Sequence, residues 1–285
     1  MIENHFNTPA EVIDANMKGG VTKVNLPLRK MILLGILAGA FIALGGAVSN
    51  VAVHTITDVG LARVLAGAIF PVGLMMIVFV GGELFTGNCL IAMDVYAEKV
   101  KISAFVRDLC IIFLSNLVGA LFIDLLIFFS GQLDYTSGAL GAYTIKVALT
   151  KVSITPVKAV TSGMLCNILI CVAILMAGAA QDIVGKIFAI FFPIFAFVIG
   201  GFEHCVANMF YIPAGLLAAT NANYVAKAEE LYGITAEQLQ SLTVIGSLRN
   251  FIPVTIGNVI GGTVCLGGMC YAIYKAKENK QNTEK

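Results

Sequence analysis

The feature that most constrains this chain is a motif that occurs twice, each time inside a segment too apolar to tolerate it. The first copy is Gly81-Gly82-Glu83-Leu84-Phe85-Thr86-Gly87-Asn88, and the second is Gly200-Gly201-Phe202-Glu203-His204-Cys205-Val206-Ala207-Asn208. Each pairs two glycines with a glutamate and places an asparagine five residues after it; the second copy carries one extra residue before the glutamate. A carboxyl group and a histidine at membrane depth are costly unless they face a protein interior or a water-filled path. Interrupted helices at matching positions of two halves point to a transport site.

The surroundings are those of a membrane protein. Of 285 residues, 58% are hydrophobic and 12% charged, against about 25% charged in a soluble domain. The net charge of +1 gives no support for a nucleic-acid partner. The first residues lack a basic stretch followed by an apolar run, so no cleavable signal peptide is expected. The seven cysteines contain no Cys-x-x-Cys pair and read as small packing residues, with no metal or cofactor implied.

Six stretches are long enough to cross about 30 Å of hydrocarbon: Met31–Val53, Leu61–Phe85, Phe105–Ser130, Val157–Ala180, Lys186–Leu217 and Leu248–Tyr274. The second continues apolar past Asn88. The fifth contains Pro193, the Gly-Gly pair, Glu203-His204 and Pro213, and reads as two half-helices flanking an irregular loop. Such a loop survives in a membrane only where it is buried or lines a cavity. The terminal segments and the 2–3 and 4–5 loops hold twelve of the eighteen Lys and Arg residues. The bias places both termini in the cytoplasm of a multi-pass protein of the cell (inner or plasma) membrane. The expected organisation is a cytoplasmic arm over 1–30, a six-span channel domain over 31–274 and a cytoplasmic tail over 275–285. In the arm, Thr8-Pro9-Ala10-Glu11 opens a short amphipathic helix, read first as a membrane-surface anchor and second as a gate beneath the pore.

The doubled motif is part of a larger repeat. Gly35 to Gly39 in span one match Gly163 to Asn167 in span four, and Asn116-Leu117-Val118-Gly119 in span three matches Asn258-Val259-Ile260-Gly261 in span six. Three spans is an odd number, so the second copy enters from the opposite side. The expected fold is all-α, with two inverted three-helix repeats (about 31–130 and 157–274) and spans two and five broken.

Inverted half-helices bring Leu84, Phe85 and Thr86 of one repeat to Glu203 and His204 of the other near mid-membrane. His5 and His54 lie outside the apolar spans, which leaves His204 as the histidine at depth. A core histidine held by one hydrogen bond is the usual reading; the helix break, the repeat and the nearby Thr86 favour a functional one. Glu83 and Glu203 occupy matching positions, which favours loop-structural acceptors of backbone N–H groups over direct substrate contact. Asn88 and Asn208 are assigned the same work. Asp124 is read as pairing locally rather than relaying protons.

At these residues the chain resembles the formate/nitrite transporter family. Phe79 to Asn88 is similar to the family's first signature, Gly201 to Phe210 to its second, and Pro253 to Gly262 to its last span. The resemblance runs from Thr8 to about Tyr274. It implies an aquaporin-like fold, no enzymatic activity, and a homopentamer with one pore per protomer. It also implies site roles: His204 as the central pore histidine, Thr86 as the loop threonine facing it, Asn167 as the span-four asparagine that holds the histidine, and Lys151 as the vestibule lysine. Phe70, Leu74, Leu84 and Phe197 take the constriction positions.

The expected cargo is a small monovalent weak-acid anion: formate first, then hydrosulfide and nitrite, with lactate or acetate also family substrates. A bare charge is too costly in a dry constriction, so a proton is the cheapest remedy. Lys151 in the outer loop would concentrate the anion, and His204 would hydrogen-bond it or lend a proton, making flux pH-dependent. Two rivals remain at this point. One is an aquaporin-like channel for neutral solutes, disfavoured by the absence of paired Asn-Pro-Ala loops. The other is an intramembrane enzyme built on Glu83, Glu203 and His204, disfavoured because no nucleophile or second histidine accompanies them.

Overall fold

A computed structural model describes residues 6–276; the arm's first residues with His5, and Lys277, Lys280 and Lys285 of the tail, lie outside the described residues. Among the described residues everything is helix or connection, apart from one bridge between Phe6 and Ala180. The elements are α1 (Pro9–Val24), α2 (Leu28–Val53), α3 (Val59–Ile69), α4 (Val72–Val80), α5 (Phe85–Asn88), α6 (Ala92–Tyr96), α7 (Ile102–Phe129) and α8 (Ala139–Val152). There follow α9 (Pro156–Ala179), α10 (Ile183–Gly200), α11 (Cys205–Ala218), α12 (Ala222–Tyr232), α13 (Ala236–Leu239), α14 (Val244–Ile260) and α15 (Met269–Tyr274). Six helical stretches are long and apolar enough to cross a membrane: α2, α3 with α4, α7, α9, α10, and Val244–Tyr274. Among the described residues these are the six spans expected from the sequence, with ends shifted by a few residues, except that the fifth, expected to run to Leu217, ends at Gly200 and its second half is the separate helix α11.

The spans pair as the repeat requires. α2 and α7 run side by side in the same direction, with Gly39 against the Asn116 carbonyl and Gly119 against the Ile36 carbonyl. α9 and α14 repeat this, with Gly257 against the Val160 carbonyl. A Cβ at any of these glycines would collide with the facing backbone, so the small residues set the helix separation. Many large apolar side chains point outward, among them Phe122, Phe129, Phe188 and Ile273, as a chain surrounded by lipid tails requires.

The connections differ from expectation. Residues between spans three and four were expected as loop, yet they form α8, and those between five and six form α12 and α13. Lys151 is therefore a helical residue in the last turn of α8, not a loop lysine. In the sixth span, Gly261–Gly268 is a π-helical stretch, a local widening often found at functional sites. Pro193 and Pro213 lie within α10 and α11; the break falls at the glycines between them.

α1 packs on the body formed by the spans. Val12, Ile13 and Met17 are buried, Asn7 N–H donates to the Ala179 carbonyl at 2.8 Å, and Lys275 pairs with Asp14 at 2.6 Å. The chain's two described ends thus lie on one face. Thr8 and Glu11 form the expected capping box, and the Thr8 bonds hold the Glu11 carboxyl below the usual carboxylate range. Thr8→Ala should cost about 1 kcal/mol of local stability, measured as faster hydrogen exchange of α1 amides; unchanged exchange would mean that packing alone holds the helix.

Candidate functional site

Each break begins where a glycine takes a backbone conformation that side chains resist. Gly81 follows α4 with φ +104°, and Gly201 follows α10 with φ +66°. The chain then runs extended to Leu84 and His204, and helix resumes at Phe85 and Cys205. The first restart continues through a 3₁₀ turn at Cys89–Ile91 into α6.

Two buried asparagines satisfy the broken backbone. Asn116 Oδ1 accepts from Phe85 N–H at 2.9 Å, while its Nδ2 donates to the carbonyls of Gly35 at 2.8 Å and Glu83 at 2.9 Å. Asn258 accepts from Cys205 N–H at 2.9 Å and donates to the carbonyls of Gly163 at 2.8 Å and Glu203 at 2.9 Å. The matched bonds display the inverted repeat atom by atom. They also correct the expectation that Glu83, Asn88, Glu203 and Asn208 would serve the loop backbone. An amide carries donor and acceptor together and can bind both chain directions, which a carboxylate cannot.

The glutamates instead hold lysines. Lys151 Nζ donates to Glu203 Oε1 at 2.6 Å, and Asn208 and Asn250 donate to Oε2 at 2.7 and 3.1 Å. On the opposite face Lys23 of α1 lies 3.0 Å from Glu83 Oε2 and donates to Asn88 Oδ1 at 2.9 Å. Asn88 Nδ2 donates to Asp108 Oδ2 at 2.9 Å. Sequence reasoning assigned no role to Lys23, Asp108, Asn250, Asn116 or Asn258. A signal was present: Asp108 and Asn250 each precede their repeat asparagine by eight residues.

Between the two clusters the breaks meet. Thr86 Oγ1 and His204 Nε2 are 3.0 Å apart, 0% and 2% exposed, joining residues 118 positions apart in the chain. Thr86 lies in the first turn of α5 rather than in the loop. Around this pair Phe70 meets Phe197 edge to face at 5.5 Å, and Phe197 meets the His204 ring at 6.1 Å. Leu74, one turn below Phe70, and Leu84, two residues before Thr86, are also buried. Asn167 does not hold His204: its Nδ2 donates to the Asn258 carbonyl at 2.6 Å and its Oδ1 accepts from Cys171 Sγ at 3.6 Å. His204 Nδ1 has no hydrogen-bond partner among the described residues. Span four instead reaches the centre through Cys171, whose thiol donates to the Thr86 carbonyl at 3.5 Å. Asp124 is buried without a hydrogen-bond partner among the described residues, so the expected local pairing is not seen there. Among the described residues no group of three or more His, Cys, Asp or Glu side chains is placed to hold a metal ion.

The arrangement is a polar waypoint enclosed by aromatic and aliphatic side chains, with an ion-paired lysine toward each face. Residues 10–272 match the family model described as formate/nitrite transporter. The chain is 36% identical to a probable formate transporter of Methanothermobacter thermautotrophicus, covering 94% of this chain and 97% of the relative. It is 34% identical to the formate channel FocA of Haemophilus influenzae, covering 91% and 92%. A solved pentameric formate channel with formate bound superposes with a TM-score of 0.77 at 31% identity, over 87% of this chain and 97% of that one. The family's members are channels and transporters rather than enzymes, and this six-span, multi-pass membrane chain belongs to the formate/nitrite transporter family.

Proposed function

We propose that the protein conducts small monovalent weak-acid anions, formate first and nitrite and hydrosulfide next, through one pore per protomer of a homopentamer in the cell membrane. The observation that carries this reading is the Thr86–His204 bond, which joins the two repeats at their breaks beneath the Phe70–Phe197 contact. The charge bias of the loops supports placing the α1 face in the cytoplasm. The pentamer rests on the likeness to the solved pentameric formate channel.

An isolated charge is too costly in a pore walled by Phe and Leu. Lys151 on one face and Lys23 on the other draw the anion in, each held by a glutamate that keeps the ammonium at the mouth. At the centre, Thr86 presents one hydroxyl hydrogen and one oxygen. When His204 carries two protons, Nε2–H donates to Thr86 Oγ1 while the Thr86 hydroxyl donates to the anion. Movement of both protons leaves a neutral acid and a neutral imidazole. The acid, now uncharged, crosses the remaining apolar stretch and ionises beyond it. Histidine suits this step because its ordinary pKa is near 6.5.

The test is flux into proteoliposomes with formate, nitrite, hydrosulfide, chloride and glycerol compared at acidic and neutral pH. The weak-acid anions should pass, chloride and glycerol should lag, and acidification should raise the flux. Passage of glycerol without the anions would replace this reading with an aquaporin-like one.

Lys151→Ala removes the partner of a buried carboxylate and turns an attractive mouth into a repulsive one. The apparent affinity for formate should weaken by about ten-fold, equal to about 1.4 kcal/mol, with a smaller change in maximal flux. Adding Glu203→Gln should recover part of the loss. An unchanged affinity in the single variant would remove Lys151 from the path.

A further inference from the structure

The two lysine clusters match residue for residue except at one position. Asn250 stands eight residues before Asn258, and Asp108 stands eight residues before Asn116. Both side chains are buried, at 0% and 1% exposure, and each bonds the motif asparagine of its own repeat. One repeat therefore has an amide where the other has a carboxyl group.

The difference changes the charge of one mouth. On the α8 face one lysine balances one carboxylate, Glu203. On the α1 face one lysine, Lys23, stands with two carboxyl groups, Glu83 and Asp108. A second observation shows where that face is incomplete. Lys23 directs its hydrogen bond at Asn88, and Glu83 Oε2, in a side chain 11% exposed, has no hydrogen-bond partner among the described residues although the ammonium is 3.0 Å away. The α8 counterpart, Glu203 Oε2, takes two amide donors.

We infer that Asp108 is a specificity-determining residue that holds one exchangeable proton at the α1 mouth and makes entry from that face, and not from the α8 face, sensitive to local pH. The inference rests on the reading of the pore as an anion path. The charged and titratable groups around Asp108 are Glu83 in the break, Lys23 on α1, Arg107 on its own helix and the Cys89 thiol beyond α5. Arg107 donates to the Val24 carbonyl at 2.7 Å, which directs its guanidinium at the end of α1. The one ammonium is paired with Glu83, so a charge on Asp108 is bonded by the Asn88 amide and has no cation of its own in the cluster. With the proton held, the cluster is neutral and Lys23 can receive an anion. Once the proton is lost, the cluster carries one net negative charge and repels a monovalent anion. A weak acid accumulating on the α1 side lowers the pH there and so opens its own exit.

The repeat supplies its own control. Asp108→Asn gives the α1 mouth the amide of its counterpart, and Asn250→Asp carries the carboxyl group to the α8 mouth. Formate flux is measured in oriented proteoliposomes with pH varied on one side at a time. In the native chain, α1-side acidification should raise flux more than α8-side acidification, by on the order of ten-fold for one unit charge acting near the mouth. Asp108→Asn should abolish that difference between sides, and Asn250→Asp should give the α8 face a matching sensitivity. The shared dependence on His204 cancels in the comparison. A side-to-side difference that persists in Asp108→Asn overturns the inference. Difference infrared spectroscopy reads the proton directly: Asp94 and Asp124, also buried, contribute alike to both forms, and the native chain should lose one more protonated-carboxyl C=O component between acidic and alkaline pH than Asp108→Asn does. Equal losses in the two forms also overturn it. Absence of anion flux from every form would instead bring down the anion-path reading, which the infrared result does not depend on.

Discussion

Replacing His204 by phenylalanine should leave formate flux without its pH dependence and lower it by about two orders of magnitude, the usual contribution of a positioned proton donor. Phenylalanine fills the space beside Phe197, so the effect reports lost chemistry rather than a cavity. Thr86→Val removes the hydroxyl bonded to His204, through which the proposed relay would reach the anion, while keeping its shape. It should lower flux comparably, yet leave His204 in place. The two variants together should be little worse than either, because they interrupt one relay. The measurement is formate uptake by proteoliposomes across a range of pH. A His204→Phe channel with native rate and native pH profile would refute the relay, and additive losses would show that the two side chains act separately.

The largest effect on stability is expected at Asn258. Its amide serves the Cys205 N–H and the carbonyls of Gly163 and Glu203. Asn258→Ala strands the Cys205 N–H and the Glu203 carbonyl at a depth where no water replaces them, and takes a second bond from the Gly163 carbonyl inside α9. Each stranded group costs about 1–3 kcal/mol, and a folded domain has only about 5–15 kcal/mol to lose. Thermal unfolding in detergent should therefore shift down by well over ten degrees or become non-cooperative. Asn116→Ala should do the same through Phe85, Gly35 and Glu83. Asn88→Ala should shift the midpoint less, because Asn88 joins side chains rather than broken backbone. A native melting curve for Asn258→Ala would show that the break is held by packing alone.

Much of the molecule was legible as periodicity and cost. Six apolar runs of membrane length, an odd number of spans per repeat and a glutamate repeated inside apolar sequence are sufficient for an inverted six-span fold with two breaks. These depend on one-dimensional quantities: length against bilayer thickness, and the expense of burying charge. The family signatures led to Thr86 and His204, and the structure brings those two together across 118 residues.

The partners of each charged group were not legible, because partnership depends on distances in three dimensions. Nothing in the spacing of Lys23 shows that α1 folds under the body and carries its ammonium to Glu83. Nothing near Asn167 shows that the Asn258 carbonyl takes its amide and leaves His204 Nδ1 without a partner. The expectation that Glu83, Asn88, Glu203 and Asn208 all serve loop backbone fails for the same reason. Composition shows that polar groups at depth need satisfaction, but only the crossing of helices decides which group reaches a broken backbone and which reaches a lysine. The charge asymmetry between the mouths lies in two letters of sequence, Asp108 and Asn250, and acquires meaning once the fold superposes the positions they occupy.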